Sequence, residues 1–168
     1  MFIARSASIL ALSLAAFAMA PSSAFAWGVP GSSSEDPMAL MGVRLGASPN
    51  NYPLCSANHA SSLCRVVSGQ AEPRCAHVMF LTPATADHET WQTFACVDAG
   101  RVVSLTIPFP VASQSVVTNL ASEKWSAWNG PKRVPNGVIW KSPDGQAGAL
   151  VVAEGDRVML SVAELPRR

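Results

Sequence analysis

The chain has 168 residues, of which 49% are hydrophobic and only 14% charged, with 12 Lys and Arg set against 11 Asp and Glu. That is one domain's worth of chain, long enough to bury a hydrophobic core. A near-neutral, sparsely charged chain lacks the electrostatic footprint of a nucleic-acid binder and the polybasic cluster that holds a protein on an anionic membrane.

The N-terminus reads as a secretory signal peptide over residues 1–26. Arg5 is the basic start, residues 9–20 are an apolar run, and Ala24-Phe25-Ala26 has the small-x-small form of a cleavage site. The run is too short to span a bilayer. Cleavage would remove one charge, that of Arg5, and leave a neutral mature chain beginning near Trp27. The expected location is periplasmic or secreted. No cysteine sits at the cleavage site and no later apolar stretch approaches about 18 residues, so no membrane anchor is expected in the mature chain. Residues 27–37 are rich in Gly, Pro and Ser and predict a flexible tail, and residues 38–168 predict a single globular domain.

An oxidising location makes Cys55, Cys64, Cys75 and Cys96 disulfide candidates, and four cysteines permit three pairings. Residues 76–82 and 90–97 both read as strands and would form an antiparallel hairpin. A register setting Thr82 opposite Glu89 brings Cys75 opposite Cys96, leaving Cys55 and Cys64 to close a short loop. The rival reading is a zinc site completed by His59 or His77. The spacings are not of the C-x-x-C type, so no metal and no cofactor are expected.

Before the hairpin, residues 38–46 are a short apolar stretch. Ser48 before Pro49 has the form of a helix N-cap with proline at the first helical position, and Pro53 must end that helix early. The Ser- and Ala-rich segment 55–70 reads either as a short helix or as an irregular disulfide-bounded loop. After the hairpin, Asp98-Ala99-Gly100 has tight-turn chemistry and residues 101–107 form the next strand, ended by Pro108 and Pro110. Residues 113–128 switch to helical spacing, with Val117, Leu120, Ala121, Trp125 and Trp128 on one stripe, and Asn129-Gly130-Pro131 ends the helix. Three short strands follow, over 138–141, 147–153 and 157–163, separated by turns at Pro143-Asp144-Gly145 and Glu154-Gly155-Asp156. In the last, Val158, Leu160 and Val162 share one face and Arg157, Met159 and Ser161 the other. The predicted class is α+β: an antiparallel sheet of five or six strands with one long helix (113–128) on one face and a disulfide-stapled N-terminal half.

Gly42-Val43-Arg44-Leu45-Gly46 before Ser48-Pro49 resembles the early G-x-x-L-G motif of small exported bacterial domains of the BamE-like and beta-lactamase-inhibitor-protein-like type. Leu120-x-x-x-Lys124-Trp125, then Gly130-Pro131 and Trp140, is similar to their helix, turn and tryptophan-bearing strand. The resemblance implies an antiparallel sheet against a helix and a tendency toward protein–protein contact. The pieces touch about a quarter of the mature chain, and no functional residue carries over. Pro53 and the absent anchor cysteine depart from the pattern.

No catalytic signature accompanies the histidines. There is no G-x-S-x-G elbow, and His88-Glu89 lacks the second histidine of H-E-x-x-H. Glu72, Asp87, Glu89 and Asp98 lie near strand ends, but nothing in their spacing selects a glycosidase-like pair. Trp91, Trp125, Trp128 and Trp140 exceed what a core of this size needs. Trp125 reads as core. Trp128, in the last helical turn, either caps the core edge or stands half exposed beside Lys132 and Arg133. The expected function is a non-catalytic protein-binding module, an inhibitor or assembly accessory, whose face is Trp128, Lys132, Arg133 and Trp140 and whose partner is another envelope or extracellular protein. The alternatives are a small envelope-directed hydrolase using His88 or a carboxylate pair, and a small-ligand carrier.

Overall fold

The structure, a computed structural model, describes residues 36–55, 62–72, 75–83 and 90–166. The segments expected to be a signal peptide and most of a flexible tail, with His59 and Asp87-His88-Glu89, lie outside the described residues, as does the Glu72 side chain.

Ten strands and one α-helix are described: β1 (Ala39–Leu40), β2 (Val43–Arg44), β3 (Cys64–Glu72), β4 (Cys75–Thr82), β5 (Trp91–Asp98), β6 (Arg101–Pro110), α1 (Gln114–Lys124), β7 (Asn129–Val134), β8 (Gly137–Lys141), β9 (Ala147–Glu154) and β10 (Arg157–Glu164). β1 and β2 pair by themselves, and the other eight form one antiparallel sheet in the order β3-β4-β5-β6-β10-β9-β8-β7. The fold is thus α+β, with a sheet larger than the five or six strands expected. The extra strands are β3, where segment 55–70 reads as helix or loop, and β7, where Asn129-Gly130-Pro131 reads as a turn. Neither segment alternates in hydropathy, so each is a strand through pairing with a neighbour rather than through its own pattern.

The helix is shorter than 113–128. Trp125 leaves helical geometry at φ −105° and ψ 30° while its N–H still bonds the Ala121 carbonyl. Its indole Nε1–H reaches the Pro37 carbonyl at 2.8 Å, and Trp128 N–H then closes a turn onto the Trp125 carbonyl. The stripe of Val117, Ala121, Trp125 and Trp128 is buried as the spacing requires, but its last turn is a bend rather than helix.

Two turns show why the strands meet as they do. Met41 and Gly42, then Ala99 and Gly100, carry positive φ between paired strands, the backbone twist that two-residue hairpin loops require. In β8 a Cβ on Gly137 would come within 2.1 Å of the Val151 carbonyl oxygen, so only glycine lets β8 lie this close to β9.

The core lies on one face of the sheet. Phe80, Ala95, Leu105, Ile107, Val151, Val158, Leu160 and Val162 point into it, and Val117, Ala121 and Trp125 of α1 with Leu40 and Val43 of the small hairpin cover it. Each buried Val, Leu, Ile or Phe among them contributes about 1.5–3 kcal/mol relative to exposure. β10 alternates as its sequence indicates, with Val158, Leu160 and Val162 inward. The small hairpin is tied down by Gly46 N–H to the Val102 carbonyl (2.8 Å), Val102 N–H to the Ala47 carbonyl (2.9 Å) and the Asp36–Arg44 ion pair (2.7 Å). Ser48 Oγ accepts from Asn50 N–H above a three-residue 3-10 turn, Pro49–Asn51, so the G-x-x-L-G stretch leads here into a turn rather than a helix.

Disulfides join Cys55 to Cys64 and Cys75 to Cys96. The β4–β5 register differs by two residues from the one drawn from sequence: Thr82 faces Trp91, and Cys96 faces His77 rather than Cys75. The second disulfide is therefore diagonal across the pair, with Cα atoms 5.5 Å apart. The shift puts Phe80 opposite Thr93 on the core face.

Candidate binding face

Because side chains alternate along a strand, the residues between the core positions line the outer face of the sheet. Following the pairings across all eight strands gives one continuous row: Val66, Met79, Phe94, Thr106, Ser161, Leu150, Ile139 and Lys132. Beside it, Pro108, Met159, Val152, Gly137 and Val134 continue a second row through the C-terminal half. Phe94 is 39% exposed and its apolar neighbours are half-buried by one another. None of these side chains belongs to the core or packs against it, and both α1 and the β1–β2 hairpin lie on the other face.

Two hydroxyls divide the row between Phe94 and Leu150 into two apolar stretches. Thr106 Oγ1 and Ser161 Oγ satisfy each other at 2.9 Å. At one end, Lys132 and Lys141 are exposed and form no ion pair among the described residues. At the opposite margin, half-buried His77 lies 3.9 Å from Cys75 Sγ through Nε2. An antiparallel sheet ordinarily alternates core-facing apolar and solvent-facing polar residues. Here Val78-Met79-Phe80-Leu81 in β4 and Ala149-Leu150-Val151-Val152 in β9 are apolar at every position. That was the available sequence signal for a second apolar face.

The residues singled out from sequence divide. Trp128 is 7% exposed and Trp140 is 1% exposed, and both stack on Trp125, with ring centroids 5.9 and 5.8 Å away. They are core, so the expected face of Trp128, Lys132, Arg133 and Trp140 does not exist as one surface. Trp140 faces inward because it shares the parity of Val138 in β8, and Trp128 because the chain bends back at Trp125. Lys132 and Arg133 are exposed, on adjacent residues of β7 that point to opposite faces. Arg133 overhangs a groove of about 720 Å³ between α1 and the β7–β8 hairpin, lined also by Ser115, Thr118 and Asn119.

Among the described residues no group of three or more His, Cys, Asp or Glu is arranged to hold a metal ion, and no helix is long and apolar enough to cross a membrane. Asp144 belongs to its turn: it accepts from Ser142 Oγ and from Gln146 N–H, which hold its carboxyl below the usual carboxylate range. Comparison with protein-family models, curated proteins and solved structures finds no match to this chain.

Proposed function

We propose that this chain is an exported, non-catalytic module that binds another envelope or extracellular protein through the outer face of its sheet. The observation that carries the reading is the outer row, which no described element covers: Val66 with Met79 and Phe94, and Leu150 with Ile139, are apolar surface of the kind that marks interaction sites. The exposed cations Lys132 and Lys141, without an ion pair among the described residues, border one end, so the partner surface is an apolar patch flanked by carboxylates. An apolar centre with a charged margin is the usual anatomy of a protein interface. A lipid surface fits less well: the centre of the face holds a satisfied hydroxyl pair, and among the described residues no Trp or Tyr rims it as in proteins seated at the bilayer interface. The disulfides on β3, β4 and β5 favour this role by stiffening the sheet, because less freedom is lost on association. The resemblance to the BamE-like and inhibitor-like domains points the same way.

The test is site-specific photo-crosslinking in the native host, with the probe at Phe94 or Ile139 and a control probe at Val116, which is exposed on α1. One shared protein adduct from the two sheet positions, absent from the control and abolished by Phe94→Glu at unchanged melting temperature, supports the reading. Adducts that do not distinguish the positions, or that survive Phe94→Glu, overturn it. A dimer adduct or a lipid adduct would replace the proposed partner with a second copy or a bilayer.

A further inference from the structure

We infer that the free edge of β7, which shares only Lys132 with the margin of the outer face, is a second binding site for an extended polypeptide segment carrying two consecutive acidic residues. β7 is the last strand of the sheet, and among the described residues no strand pairs with its far side. Its residues Asn129–Arg133 are all exposed. Such an edge presents unmatched backbone donors and acceptors, which the backbone of an incoming strand completes.

Charge decides what that strand must carry. Lys132 faces Ile139 in the outer row and Arg133 faces Val138 on the core side, so the two cations stand on opposite faces of one edge. Neither forms an ion pair among the described residues, and no Asp or Glu lines the adjoining groove. Adjacent residues of an added strand also point to opposite faces. Two acids in succession therefore meet both cations at once, one beside Lys132 outside and one beside Arg133 in the groove. The groove gives the second acid neutral polar neighbours in Ser115 and Asn119.

Lysine and proline on an edge also serve to repel unwanted strands. Pro131 has no N–H to offer, which confines pairing to the short stretch Lys132–Val134. A short edge bearing two cations rejects neutral and basic strands and retains an acidic one, so the same residues exclude and select. A peptide fits better than an acidic polysaccharide, because only a polypeptide backbone continues the ladder.

The probe is a fluorescein-labelled peptide, Thr-Val-Glu-Glu-Val-Thr, compared with Thr-Val-Lys-Lys-Val-Thr by fluorescence anisotropy at low salt on the oxidised protein. The acidic peptide is expected to bind about tenfold more tightly, as two exposed opposite-charge pairs allow. Binding should slow amide exchange at Arg133, whose N–H faces the free edge while those of Lys132 and Val134 face β8. The double variant Lys132→Glu, Arg133→Glu should invert the preference, a readout that an unfolded variant could not produce. Equal affinity for the two peptides, no inversion, or slowed exchange elsewhere overturns the inference. Phe94→Glu should leave peptide binding unchanged, so failure here and failure of the outer-face reading are told apart.

Discussion

The indole Nε1–H of Trp125 donates to the carbonyl of Pro37 at 2.8 Å, across 88 residues of sequence. Trp125 is fully buried, and Lys124 beside it donates from Nζ to the Asp36 carbonyl at 2.9 Å. Two consecutive residues at the end of α1 thus hold Asp36 and Pro37 against the core. Trp125→Phe keeps most of the buried ring and deletes the donor. The expected cost is about 1–2 kcal/mol, including the carbonyl left without its partner, read as a shift in urea midpoint at constant slope.

Trp140 gives a larger effect. It is 1% exposed and packs on Trp125, so Trp140→Ala should cost about 3–5 kcal/mol in equilibrium unfolding. A loss under 1 kcal/mol would return Trp140 to the surface.

Thr93 shows the opposite sign. Its side chain is fully buried, and Oγ1 finds no hydrogen-bond partner among the described residues. Thr93→Val replaces a desolvated hydroxyl with a methyl group of nearly the same shape. The variant should be more stable by about 1 kcal/mol, measured by chemical denaturation.

Lys124 supplies a pH dependence. Burial holds its pKa below the ordinary 10.5, only partly offset by the nearby negative charge of Asp36. Below the lowered value the proton is bound in both states, and the cost of burying the charge is constant. Between that value and 10.5 the unfolded chain binds more protons, so stability gains with rising pH. The gain is complete above 10.5 and lost as pH falls through the folded value. Comparing urea midpoints of the wild type and Lys124→Met through this alkaline window isolates the effect: the rise should be present in the first and absent in the second.

How legible this was in the sequence depended on whether a segment's signal was local. β10 shows its alternation and its bounding turn within eight residues, and the structure follows it. β3 and β7 have no such pattern. Cys64–Glu72 mixes Val with Ser, Gly and Gln, and Asn129–Val134 carries Gly, Pro, Lys and Arg, so each is a strand only because a partner strand satisfies its backbone. The register of β4 and β5 differs by two residues from the one the sequence suggests, for a related reason. A shift by an even number keeps every side chain on its own face, so hydropathy cannot detect it. The tryptophans misled because their number was read as surplus, whereas Trp125, Trp128 and Trp140 form one buried cluster. The outer face was visible in the unbroken apolar runs of β4 and β9, which hairpin periodicity alone does not flag.

Of the described strands, β10 comes latest in sequence and yet lies in the middle of the sheet. β10 alone joins β3-β4-β5-β6 to β9-β8-β7, pairing Ala163 with Ser104 and Arg157 with Pro110, and the Arg101–Glu164 ion pair closes the end of that seam. Without Arg157–Glu164 the two groups of strands share no ladder, so deleting this one strand should dissolve the sheet as a whole rather than trim it.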